Sequence, residues 1–195
     1  MTTNEIINGE RVSRIRELNA ENSALRKEVS VLKEELTSLR ASIDLALCAI
    51  DDFKKLPAGG RLVLIDGYNL LFTFFRNEKK NDCSVAARDV LVSRVKRYLE
   101  LHPSDFAWIV FDGPRLSVES VDRLRISFTG GSGEQRADNL IVRYLRGCRY
   151  LGISIERIAV ATKDSALSGK VAKSGASVME PSLICSSVSQ IENTP

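Results

Sequence analysis

The sequence predicts an α/β domain, with a mainly parallel sheet covered by helices on both faces, preceded by a long coiled-coil helix. Three observations carry this expectation. Residues 12–56 contain no proline or glycine and repeat apolar side chains at alternating steps of three and four. From Arg61 onward, short apolar runs alternate with amphipathic stretches. Leu56-Pro57-Ala58-Gly59-Gly60 separates the two patterns, as helix-breaking residues do in a short linker.

With Ile15 at heptad position a, the a series is Ile15, Asn22, Val29, Leu36, Ile43 and Ile50, and the d series is Leu18, Leu25, Leu32, Leu39, Ala46 and Phe53. A sustained 3.5-residue period is the pattern of a coiled coil. β-Branched residues at several a positions with leucine at d favour two parallel strands, and a lone Asn22 at a fixes register. Glu21, Glu28 and Glu35 at g would face Arg26, Lys33 and Arg40 at e of a parallel partner. Residues 12–56 are therefore expected to make a homodimer, behind a flexible stretch at 1–11.

In the second region Arg61–Asp66, Ala107–Asp112, Leu124–Phe128, Ile155–Thr162 and Ala176–Met179 are expected strands. Ser84–Leu101, Gln135–Arg149 and Ser165–Ser174 are expected helices. Apolar strand runs alternating with helices predict a parallel sheet buried on both faces. This domain is expected to span 61–182, after a linker at 57–60 and before a flexible polar tail at 183–195.

Composition excludes several function classes. No apolar run approaches the roughly 20 residues of a membrane helix, and the charged N-terminus is unlike a signal peptide, so a cytoplasmic protein is expected. The four cysteines are scattered without a CxxC pair, against zinc or redox motifs. His102 is the sole histidine. Serine triads, Cys–His pairs and histidine-based ribonuclease chemistry are thereby disfavoured, and acid–base or metal chemistry falls to carboxylates.

Asp66 in LVLIDGYN, Asp112 in WIVFDG and Asp164 in IAVATKDS end or closely follow apolar strands, and Asp138 opens the helix after Gly130-Gly131-Ser132-Gly133. Ligands of open α/β sheets bind at the carboxyl ends of the strands, so a parallel sheet would bring all four to one rim. Singly, each has a local explanation: turn former at Asp66 and Asp112, helix cap at Asp138 and Asp164. Together they make an acidic cluster suited to a hard divalent cation, able to assist attack on a phosphodiester. The surrounding domain is basic. Residues 61–182 hold 19 lysines and arginines against 14 acidic residues, as suits a polyanionic substrate. Arg115, Arg123, Arg125, Arg136, Arg143, Arg146 and Arg149 are candidate phosphate contacts.

Asp66-Gly67-Tyr68-Asn69-Leu70 after an apolar strand resembles the opening motif of NYN domains, the YacP-like branch in particular, within the PIN-like nuclease superfamily. Phe111-Asp112-Gly113 resembles the second motif. Gly133-Glu134 with Arg136-Ala137-Asp138-Asn139 resembles the Gly-Glu…Ala-Asp-Asp motif, and Thr162-Lys163-Asp164 the Thr/Ser-x-Asp motif. The resemblance covers about residues 61–182. It implies a three-layer α/β/α PIN-like fold, a Mg²⁺ or Mn²⁺ site and endoribonuclease activity on RNA, with a ribosome or translation setting. Residue by residue it implies Asp66, Asp112, Asp138 and Asp164 as metal ligands, Asn69 as an orienting group and Thr162 as a hydroxyl near the metal. Asn139 replaces the second aspartate of the Ala-Asp-Asp motif, which removes one charge from a two-metal arrangement. The coiled coil lies outside the family core.

Two alternatives follow from the same residues. A haloacid-dehalogenase-like phosphatase needs Asp-x-Asp, and Tyr68 stands where the second aspartate belongs. A catalytically weak nucleic-acid-binding or scaffolding protein is favoured by Asn139 alone.

Overall fold

The structure is a computed structural model describing residues 3–53, 56–74, 84–130 and 135–184. The loop residues Gly131, Ser132, Gly133 and Glu134 and most of the expected tail lie outside it. The chain divides into two compact units, residues 1–40 and 41–195.

The first unit belongs to α1, a helix over Thr3–Phe53. Its heptad face stands open: Ile15, Leu18, Leu25, Val29, Leu32, Leu36 and Leu39 are all exposed. The second unit takes the end of the same helix, where Ala46, Ala49 and Ile50 are buried in the domain core. The a and d positions Ile50 and Ala46 thus pack on the chain's own domain. The sequence reading had assigned both positions to a coiled coil over residues 12–56.

The sheet has six strands: β1 (Leu62–Asp66), β2 (Phe106–Phe111), β3 (Leu116–Val121), β4 (Leu124–Thr129), β5 (Ile158–Ala161) and β6 (Ser177–Met179), in the order β3-β4-β2-β1-β5-β6. All neighbours are parallel except the hairpin of β3 and β4. That hairpin turns at Asp122, whose φ of 53° is left-handed. β3 was not expected as a strand. All six of its residues are exposed, so it lacks the buried apolar run that marks its neighbours.

The alternation of side chains along β1 sets the three layers. Leu62 and Leu64 face one core with Trp108, Val110 and the helices α4 (Arg136–Tyr150) and α5 (Ser165–Ser174). Val63 and Ile65 face the other, with Ile109, Phe111 and the helices α2 (Gly67–Phe74) and α3 (Val85–Leu101). Helix starts and stops follow local chemistry. The Ser84 hydroxyl accepts from the Ala87 amide at 3.1 Å, and Gly175 ends α5 at φ 91°. α2 begins at once after Asp66 and was not among the expected helices. It lies close because Gly67 has no side chain: a Cβ there would come within 2.4 Å of the Phe111 ring.

From β1 the chain builds outward through β2 to the β3–β4 hairpin, then returns to place β5 and β6 on the other side of β1. The carboxyl ends of β1 and β5 therefore border a topological switch point, where α/β sheets leave a crevice for ligands.

Candidate metal centre

The rim is assembled from four separate segments of the chain. Asp66 is the last residue of β1, Asp112 follows β2, Asp138 lies in the first turn of α4, and Asp164 caps α5. Asp66 Oδ1 accepts from the Asn69 amide at 3.2 Å. Asp112 Oδ1 accepts from the Ala137 amide at 2.7 Å and the Thr129 hydroxyl at 3.2 Å, which ties β2 to the end of β4 and the start of α4. Asp164 Oδ1 accepts from the Leu167 amide at 2.7 Å. The expected alternative of a helix cap is thus real for Asp164, and it coexists with a place on the rim.

Asp66 and Asp138 feel the charges around them. Burial pushes Asp66 from 3.8 up to about 6; the Asn69 amide works against this, and the charges of Asp138, Asp112 and Asp164 add to it. Asp138 is also raised, by burial first and then by Asp164 and Asp112, while Lys170 pulls the other way. Like charges gathered in a half-buried place create a demand for a cation.

Among the described residues no three acidic, histidine or cysteine side chains converge tightly enough to enclose an ion. The four side chains offer hard carboxylate oxygens, the donor type that hard divalent cations take.

Asn69 and Thr162 serve the loops. Asn69 Oδ1 accepts from the Lys163 amide at 2.8 Å, and Thr162 Oγ1, buried, accepts from the Asp164 amide at 3.1 Å. Both hold the segment after β5. Thr129 was missed. A polar residue closing a strand beside Gly130 was the available signal, and burial of its hydroxyl against Asp112 gives it meaning. Lys170, one helical turn and a half into α5, was missed as well.

The arginines divide. Arg136 begins α4 and donates to the Gly130 carbonyl, close to Asp138, and Arg115 is exposed three residues after Asp112. Arg143 and Arg146 lie farther down α4, about 10 and 15 Å from Arg136 at 1.5 Å per residue. Arg125 lies elsewhere. It sits over the Trp108 ring at 5.4 Å and lines a cavity of about 190 Å³ with Leu62, Phe106 and Leu124, at the strand starts opposite the aspartates. Arg123 is structural: it donates to the carbonyls of Leu99, His102 and Asp105 and so caps α3.

Comparison with known proteins agrees with this architecture. Residues 63–194 match the YacP-like NYN domain. No curated protein matches the chain. Among solved structures, a single-substitution variant of Rae1 (YacP) from Bacillus subtilis is 22% identical, with a TM-score of 0.52 over 68% of this chain and 77% of that one. The unsubstituted Rae1 (YacP) from the same organism is 20% identical, with a TM-score of 0.48 over 67% and 77%. At that identity the likeness is one of fold, and it is the family match over residues 63–194 that places this chain in the YacP-like NYN domain family.

Proposed function

We propose that the chain is a metal-dependent endoribonuclease that hydrolyses phosphodiester bonds of RNA, in the cytoplasm and in a ribosome- or translation-associated setting, as a homodimer through its heptad helix. The observation that carries the catalytic part is the burial of Asp66, the last residue of a central strand, at the switch point, with the charges of three further aspartates adding to it. Membership of a family of nuclease type supports the reaction class. No helix among the described residues is long and apolar enough to cross a membrane.

Asp66, Asp112, Asp138 and Asp164 would hold Mg²⁺ or Mn²⁺ through their carboxylate oxygens. A bound divalent ion supplies positive charge to the scissile phosphate and to the attacking water. The chain's own part is orientation. The Ala137 and Leu167 amides fix the carboxylates of Asp112 and Asp164, and Arg136 and Arg115 draw the phosphate backbone to the rim. Asn139 is exposed one residue after Asp138, so the charge missing from the motif is missing at the rim's edge.

The test is cleavage of an RNA panel with Mn²⁺, with and without chelator. Metal-dependent cleavage that Asp66→Asn abolishes is the expected result. Binding of RNA without cleavage under any divalent cation would promote the scaffolding alternative.

A further inference from the structure

Beside the acidic rim runs a row of aromatic rings. Tyr68 stands two residues after Asp66, Phe111 immediately precedes Asp112, and Phe128 immediately precedes Thr129, the partner of Asp112. The rings touch in sequence. Phe72 stacks with Tyr68 at 6.3 Å and 24°, Tyr68 meets Phe111 edge to face at 5.4 Å, and Phe111 stacks with Phe128 at 5.2 Å. The inner ring, Phe111, is buried, whereas Phe72 at the outer end is 40% exposed. Two arginines of α3 lie over rings of this face: the Arg88 guanidinium lies 5.4 Å from the centroid of Phe128, at the far end of the row, and that of Arg94 lies 4.9 Å from Phe74, outside the row and two residues beyond Phe72.

We propose that Phe72, backed by Tyr68, is a stacking platform for an unpaired base beside the scissile phosphate, and that Arg88 and Arg94 follow the adjoining backbone. The platform selects single-stranded nucleic acid, which deepens the nuclease reading above and rests on it for the location of the scissile bond. Two arguments support this occupant. Aromatic faces interleaved with arginines are the combination that binds single strands, since every base has a π face and every linkage a phosphate. Finally, bases in a duplex have both faces stacked and cannot reach a ring in this position.

The ring behind Phe72 is itself braced. Gly67 lets α2 close on Phe111, and Phe111 in turn braces Tyr68. The platform thus keeps a fixed distance from Asp66 by covalent succession, so a stacked base sets which phosphate lies over the carboxylates.

The experiment uses the full chain in chelator, so that binding is read without cleavage. The ligands are a labelled oligouridine of about a dozen nucleotides, within the site size of such grooves, and a duplex of equal length. A second strand carries a fluorescent adenine analogue whose emission is quenched by stacking. Phe72→Ala should weaken single-strand binding by about tenfold, the range found when a stacking ring is removed. It should also abolish the quenching, with duplex affinity unchanged. Phe72→Trp should restore both. Alanine is a good helix former at this exposed position, so circular dichroism should be unaltered. Equal single-strand affinity of the parent and Phe72→Ala overturns the platform, as does a parent chain with no single-strand affinity. Failure of the nuclease reading looks different: Phe72-dependent binding and quenching would persist with no cleavage in Mn²⁺.

Discussion

The side-chain carbonyl of Asn69 accepts a hydrogen bond of 2.8 Å from the backbone amide of Lys163, joining the first turn of α2 to the loop after β5 across the switch-point crevice. Asp66 and Asp164 stand on the two sides of that crevice, so the bond sets their separation. Asn69→Ala should lower stability by about 1 kcal/mol, the net worth of one such hydrogen bond, and lower kcat more than it raises KM. Asn69→Asp keeps an acceptor yet adds a fifth negative charge, so its cleavage should recover with rising Mn²⁺ concentration, where that of Asn69→Ala should not. Equal metal dependence of the two variants would remove Asn69 from the positioning of the rim.

Thr129 offers a second handle. Its buried hydroxyl donates to Asp112 Oδ1, which also takes the Ala137 amide. Thr129→Val keeps the shape and leaves the carboxylate one donor short. Thermal stability should fall by about 1 kcal/mol, with a several-fold drop in kcat and little change in RNA affinity. A variant that loses affinity and keeps kcat would show Thr129 touching substrate instead.

Assembly is testable along a single helix. The intact chain should be a dimer by light scattering, and a chain lacking residues 1–40 a monomer, because the open apolar stripe of the first unit is then gone. Ile50→Ala should act otherwise. Ile50 is 2% exposed within the domain core, so the substitution should cost about 2–5 kcal/mol of domain stability while the dimer persists below the melting transition. Loss of the dimer with full domain stability would mean that Ile50 belongs to the seam after all.

That helix shows where sequence reading succeeds and where it stops. The period of apolar residues reports that a face is covered, not by what. Ile43 and Ile50 share heptad position a, yet Ile43 is 44% exposed and Ile50 is buried in the chain's own domain core. The parallel strands were legible because burial on both faces leaves unbroken runs such as LVLID and FAWIVF. β3, with Leu116, Val118 and Glu119 all exposed, carries no such record. The rim aspartates were legible because strand ends in a parallel sheet share one side. The arginines were not, because their long side chains serve whatever lies nearby. Arg123 caps a helix and Arg125 packs on Trp108, and nothing in the local sequence separates them from Arg136.

The acidic rim makes its own prediction about pH. The folded protein holds Asp66 at about 6 against an ordinary value of 3.8, through burial and three neighbouring charges. A raised carboxyl favours the folded state when protonated. Its contribution is therefore full below the unfolded value and is lost as pH rises through the folded one. In chelator, the parent chain should lose stability between about 3.8 and 6, and Asp66→Asn should flatten most of that slope. A remaining slope of the same sign is expected from Asp138, which is raised for similar reasons. Mn²⁺ should restore the parent at neutral pH, because an ion that binds only the folded state stabilises it by mass action. The asparagine variant should gain far less, having lost the central carboxylate. Cleavage should be abolished in Asp66→Asn, with single-strand affinity kept or strengthened, because the basic surface is intact and one repulsive charge beside the phosphates is gone. The pH titration followed by thermal denaturation and the cleavage assay are independent readouts of one carboxyl group. A variant with a flat pH profile and parental cleavage would confirm the crowding at Asp66 and sink its catalytic role.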